Sequence, residues 1–282
     1  MTFLNTKPLL SLLTLFAILL LHTACQKDSD PPTIAPSEFT KDQRVILGEK
    51  VQIALAFDDE NFPVLPKIPP YDTSIYWYTQ TLYNQVTNSL RIDNQSSSTN
   101  RWDPNREWEI TIVDLPQKNA FVIPGGNLYL TTGLLRSLDT EHQLYYILAF
   151  EAQLMNERFL LTNLIREFNT NTLANVANGQ PSPNGTTSQT LAQAIANLNF
   201  EQETVIEVDE ITADLICKSS RMDRLGILPL LDLADDDWIW LNTRTSYSNR
   251  SDYIQNQIGE NLDCGTFKTN GGYQRYVLNY LE

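Results

Sequence analysis

Apolar residues recur at helical spacing over residues 41–58 (KDQRVILGEKVQIALAFD), which predicts an amphipathic helix. A Pro-rich stretch follows at 62–70. A second helical run covers 73–90, with Ile75, Tyr78, Leu82, Val86 and Leu90 on one stripe. Core packing is the expected role of the aromatics here, with a sugar-binding platform as the alternative. Residues 93–105 are polar and break the pattern. Residues 108–113 (WEITIV) alternate as a strand, and 120–123 form another short one. Pro124-Gly125-Gly126 makes a turn that glycine alone tolerates, and 127–131 is the next strand. A short helix is expected at 133–137, then a long one from Asp139 or Thr140 to about Phe168, with Glu141 in its first turn. Residues 169–190 are poor in apolar side chains and rich in Asn, Gly, Pro and Ser, so they read as a flexible surface loop. Helices are expected at 190–198 and 205–221, and again within 225–237 and 247–262. The fold class that follows is α+β, mainly helical, with a small β-sheet. No internal repeat is visible.

The N-terminus has a different character. Lys7 precedes a 14-residue apolar run at 8–21, too short for a comfortable membrane span and the right length for a signal h-region. The run ends in Leu21-His22-Thr23-Ala24-Cys25, which resembles a bacterial lipobox with Cys25 as the lipidated residue. A plain secretory leader cleaved after Ala24 is the alternative. The Lys-Asp tract after Cys25 resembles a lipoprotein surface-export signal. Three segments follow: a signal peptide at 1–24, a flexible Pro-rich tether at 25–40, and one folded domain at 41–282. The expected setting is the cell envelope, anchored by lipid to the outer membrane and open to surface exposure. The 282 residues carry 34 acidic and 20 basic side chains, a net charge of −14, which excludes the electrostatic footprint of a nucleic-acid binder. With Cys25 assigned to lipid, Cys217 and Cys264 remain as a candidate disulfide or as two separate thiols.

Four segments carry chemistry. The first runs Asn119-Ala120-Phe121, Pro124-Gly125-Gly126, Leu128-Tyr129-Leu130-Thr131 and Gly133-Leu134-Leu135. The second is Leu148-Ala149-Phe150-Glu151, the third Glu210-Ile211-Thr212-Ala213-Asp214, and the fourth Tyr247-Ser248 with Tyr253-Ile254. Together they resemble the gluzincin metallopeptidases of metallopeptidase family 48, the HtpX, CAAX-prenyl endopeptidase and BepA type. The resemblance implies a gluzincin-like fold with the small sheet above an active-site helix. It implies Glu151 as the general base, Glu210 as the third metal ligand and Asp214 as the residue behind it. It also implies that an extended peptide lies along Gly125, Gly126, Asn127, Leu128, Tyr129, Leu130 and Thr131, with Leu128–Thr131 as an edge strand.

The pattern departs from the family where it matters most. The zincin motif needs His at i and i+4 around the Glu; here those positions are Phe150 and Leu154. Of the two histidines in the sequence, His22 lies in the leader and His142 two turns before Phe150, where an exposed residue near a helix start is expected. Tyr247 and Tyr253 stand where the family has His and Arg. Glu151, Glu210 and Asp214 could still crowd into a carboxylate pocket for a hard cation such as Ca²⁺. Two readings follow. One is a non-catalytic pseudopeptidase with no cofactor, acting on an unknown peptide or protein client. The other is a residual zinc- or other-metal-dependent endopeptidase of the envelope.

Overall fold

The computed structural model describes residues 39–95, 108–182, 184–219, 222–231, 237–244, 250–258 and 271–281. The leader, Cys25, most of the tether, Tyr247, Ser248 and Cys264 lie outside them.

Helix α1 (Lys41–Ala56) begins at a capping box: Thr40 Oγ1 accepts the Gln43 N–H, and the Gln43 side chain accepts the Thr40 N–H. Its buried stripe is Leu47, Val51, Ala54 and Leu55. A π-helical segment, Asp72–Tyr76, leads into α2 (Trp77–Gln95). The whole predicted stripe, Ile75 to Leu90, is buried.

Three strands follow: β1 (Ile110–Val113), β2 (Ala120–Val122) and β3 (Leu128–Thr131). Their order is β1-β3-β2, with β3 parallel to β1 and antiparallel to β2. Leu128–Thr131 is therefore the central strand and not an edge, which corrects the expected peptide-binding mode: both sides of its backbone are already paired. The outer flank of β1 is covered as well. Val64 bridges Val113, Leu65 N–H donates to Ile112 O at 2.8 Å, and Ile110 N–H donates to Gln80 Oε1 at 2.9 Å. On the outer flank of β2, Val122 N–H donates to a helix side chain, Glu151. The β2–β3 turn uses glycine as expected. Gly126 has φ +96°, and a Cβ there would sit 2.2 Å from the Trp108 indole.

Thr131 caps α3 (Thr132–Ser137) by accepting the Leu134 N–H. Helix α4 (Glu141–Asn156) opens on a second capping box, Thr140 with Gln143. It is shorter than the expected 140–168 helix. Arg158 adopts the left-handed conformation at φ 66°, and α5 (Phe159–Phe168) starts afresh. The break re-aims Leu160, Leu161 and Leu164 into the core. All of α4 except Met155 is buried, so it is the central rod of the fold.

The predicted loop at 169–190 is another correction. Asn169 caps α6 (Thr170–Ala177), which buries Leu173, Val176 and Ala177. Helix α7 (Ser188–Ala196) buries Leu191, Ala192 and Ile195, and both helices pack on α1. Few apolar residues suffice there, because their helical spacing concentrates them on one face. Helix α8 (Gln202–Ser219) packs along α4. Among the described residues, short helices follow: α9 (Leu228–Leu231), α10 (Ile239–Arg244), α11 (Arg250–Tyr253) with a π-helical continuation at Ile254–Ile258, and α12 (Gly272–Tyr276). All described residues fall in one compact unit, Pro36–Glu282. None of the described helices is long and apolar enough to cross a membrane. The architecture is the expected one, mainly helical with a small sheet beside a buried helix.

Candidate functional site

Glu151 sits in the middle of α4 with no exposed surface. A carboxylate removed from water costs several kcal/mol unless its charge and lone pairs are satisfied. Here every requirement is met by protein groups. Arg244 Nε donates to Oε1 at 3.0 Å, and Arg244 Nη2 reaches Oε2 at 3.4 Å. The Trp240 indole N–H donates to Oε1 at 2.9 Å, and Val122 N–H to Oε2 at 3.1 Å. Trp240 and Arg244 lie four residues apart on α10, so one helix face delivers both donors. Arg244 is itself fixed by Leu198 O and Thr243 Oγ1, both at 2.9 Å, and its guanidinium lies 4.7 Å from the Phe200 ring centre. Behind the carboxylate, burial and then the charge of Glu151 push the Tyr83 phenol well above its ordinary pKa.

Phe150 and Leu154, one residue before and three after Glu151, are also fully buried. The Phe150 ring meets the Trp240 ring edge-on at 5.7 Å. A second guanidinium, that of Arg250, lies 5.2 Å from the Phe150 ring centre and 5.6 Å from that of Trp240. Asp209 holds it from α8 in a two-pronged pair, Nε to Oδ2 at 2.8 Å and Nη2 to Oδ1 at 2.7 Å. Tyr146 O–H donates to the same Oδ1 at 3.0 Å, and Arg250 Nη1 donates to Arg244 O at 2.9 Å. The interior beside α4 thus contains two carboxylates matched by two guanidiniums, linked through the Arg244 backbone and the aromatic rings. Phe150 and Leu154 contribute no lone pair to it.

The residues singled out from sequence do not all meet there. Glu151 is central. Glu210 is exposed and accepts the Tyr253 O–H; that bond, with partial burial and the nearby negative charge, pushes the Tyr253 phenol up to about 12. Asp214 pairs with Lys218 at 2.5 Å, one turn on, in a half-exposed position. Among the described residues, no three His, Cys, Asp or Glu side chains come together as a metal-binding group. The expected carboxylate pocket of Glu151, Glu210 and Asp214 is therefore corrected: the acid of α8 that faces α4 is Asp209. His142 is buried rather than exposed, and its Nδ1 accepts the Asp223 N–H at 3.1 Å. Gly125 to Thr131 form the turn and central strand already described. Cys217 is disulfide-bonded.

Four residues of this network, Asp209, Trp240, Arg244 and Arg250, were not among the sequence candidates. One signal for them was available. Val205, Val208, Ala213 and Ile216 belong to the buried apolar face of α8, and Asp209, fully buried, interrupts it. A lone acid on a buried stripe calls for a buried cation.

Residues 90–223 match the model of peptidase family M48. The chain is also similar to proteins named metalloendopeptidase OMA1, mitochondrial. It is 43% identical over 44 residues to that of Danio rerio, covering 16% of this chain and 9% of the relative. It is 48% identical over 44 residues to that of Bos taurus and 46% to that of Homo sapiens, in each case 16% of this chain and 8% of the relative. The match thus spans less than a tenth of the length of these relatives.

Proposed function

The chain carries a peptidase family M48 domain, and from that premise we propose that it is a non-catalytic member, a pseudopeptidase that acts by binding. One observation carries the proposal: both oxygens of Glu151 are engaged in a fully buried bond set with Arg244, Trp240 and Val122. A general base needs a free lone pair within reach of a water molecule or substrate proton. Glu151 offers neither. Its surroundings support a structural role, as the anion of a buried ion pair.

The family implies zinc, and the residues do not fit it. A catalytic zinc takes three N, O or S ligands from the protein and keeps one open position for water. Phe150 and Leu154 carry no donor atom, Glu151 is fully engaged, and Glu210 is exposed and bonded to Tyr253. The Arg250 guanidinium, held by Asp209 against the Phe150 ring, supplies positive charge in this interior.

The client is a peptide or protein of the envelope. With β3 central and both sheet flanks covered, docking must use helices or loops rather than strand addition. The sequence of the leader supports attachment to the outer membrane through lipid at Cys25, with surface exposure supported by the Lys-Asp tract. A second reading, a zinc-dependent endopeptidase, draws on the M48 domain and on the metalloendopeptidase names of the relatives. It requires α4, α8 and α10 to separate far enough to uncover Glu151. Incubation of the purified full chain with casein in zinc-containing buffer separates the two. We expect intact casein. Chelator-sensitive cleavage would establish the second reading.

A further inference from the structure

A cavity of about 370 Å³ lies on the sheet face that carries Val113, Thr131, Asn119 and Phe121, walled by α7 and the segment after α1. That size is in the range of small-molecule sites, roughly 300–1,000 Å³. Five carboxamides line it: Asn61, Gln117, Asn119, Gln193 and Asn197. No charged side chain does. Phe62, Phe121 and Ile239 give it an apolar wall.

The amides are oriented by their partners. Asn61 Nδ2 donates to Asp58 Oδ1 at 2.8 Å, and Gln193 Nε2 to Asp58 Oδ2 at 3.2 Å. Asn197 Nδ2 donates to Gln193 O at 3.0 Å, and Asn119 Nδ2 to Ala196 O at 2.8 Å. Each partner is a carboxylate or carbonyl oxygen and can only accept. In all four cases one amide N–H is held by the protein, which fixes the orientation of the carboxamide, and the oxygen is left over. The clearest case is Asn119. It is 95% buried, and its buried Oδ1 accepts no hydrogen bond from any described residue. An unsatisfied buried acceptor costs about 1–3 kcal/mol, which a ligand donor would recover.

We propose that this cavity binds a neutral carbohydrate, a mono- or disaccharide unit whose hydroxyls donate to the carboxamide oxygens while its C–H face lies on the apolar wall. The lining selects this class. With no charged side chain in the lining, neither an anion nor a cation would find a counter-charge in the wall. An extended peptide would need strand edges, and those are covered. Asp58 is a positioning residue: it aligns Asn61 and Gln193 and touches Gln189 of the same helix. The lining shares no residue with the bond set of Glu151, although Phe121 and Ile239 adjoin Val122 and Trp240 in the chain, and the proposal does not depend on the pseudopeptidase reading.

The test is ligand-observed NMR, followed by calorimetry, on the full chain. The probes are an array of neutral mono- and disaccharides, with arginine amide as a cationic donor. We expect saturable binding of at least one neutral saccharide and none of arginine amide. Gln193 and Asn197 are exposed, so Asn197→Ala should keep the fold and weaken binding about two- to tenfold, the loss of one neutral hydrogen bond. Gln193→Ala with Asn197→Ala should weaken it further, and Asn119→Leu should abolish it. Failure of every saccharide to bind, preferential binding of arginine amide, or saccharide affinity unchanged in the Gln193/Asn197 double variant would each overturn the proposal.

Discussion

Replacing Arg244 by Met strands Glu151 as a buried, unpaired carboxylate. The Arg244 side chain is 3% exposed and that of Glu151 0%, so water cannot take over the lost interaction. Breaking a buried pair from one side costs about 3–5 kcal/mol, whereas an exposed pair is worth about 0–1 kcal/mol. The remaining partners of Glu151, the Trp240 and Val122 N–H groups, carry no full charge. Arg244 also leaves Leu198 O without its donor. The loss therefore belongs at the buried end of the scale. In a domain of this size each kcal/mol lowers the melting temperature by about 2–4 °C, so Arg244→Met should lower it by roughly 6–20 °C. Urea denaturation followed by circular dichroism gives the free energy directly, provided the slope of the transition is unchanged. The companion variant, Glu151→Gln with Arg244→Met, buries no charge and should recover part of the loss. An Arg244→Met protein within about 1 kcal/mol of wild type would refute the reasoning, because it would place Glu151 in water. So would a double variant no more stable than the single one.

Other consequences are as direct. Tyr253 should titrate near 12 by ultraviolet absorbance, and Glu210→Gln should bring it back toward 10. Because the folded-state value is raised, its contribution to stability is complete below pH 10 and disappears as the pH rises through about 12. Limited proteolysis within 169–190 should cut first in the connection at 178–187 and spare α6. Leu173→Ala, at a fully buried position, should cost about 2–5 kcal/mol and open α6 to the protease. Metabolic labelling with a fatty-acid analogue should mark the wild-type precursor and not Cys25→Ala; label retained in the variant would remove the lipid anchor from the account.

Local signals in the chain were enough for some of its elements. The stripe from Ile75 to Leu90, the glycines of the β2–β3 turn and the Thr140 cap each carry their structure in adjacent residues. Strand order does not work that way. Nothing within 128–131 tells whether β1 pairs beside it, so the strand read as an edge is the centre of the sheet. The segment 169–190 misled for a different reason: Leu173, Val176 and Ala177 are few, but all fall on one helical face. The break at Arg158 was hidden because the residues on both sides suit a helix. The site is legible only in part. Glu151 stands out by motif, while its partners Trp240 and Arg244 lie 89 and 93 residues away with no motif of their own. The third-ligand position was assigned to Glu210 by resemblance, yet the apolar spacing of α8 puts Asp209 on the side facing α4.

The zinc content of the purified full chain, measured by elemental mass spectrometry after expression in zinc-supplemented medium and dialysis, tests the central claim most directly. The packing of Phe150 and Leu154 and the engagement of Glu151 by Arg244 predict zinc far below one atom per chain. One tightly held zinc per chain would contradict the account and return Glu151 to catalysis.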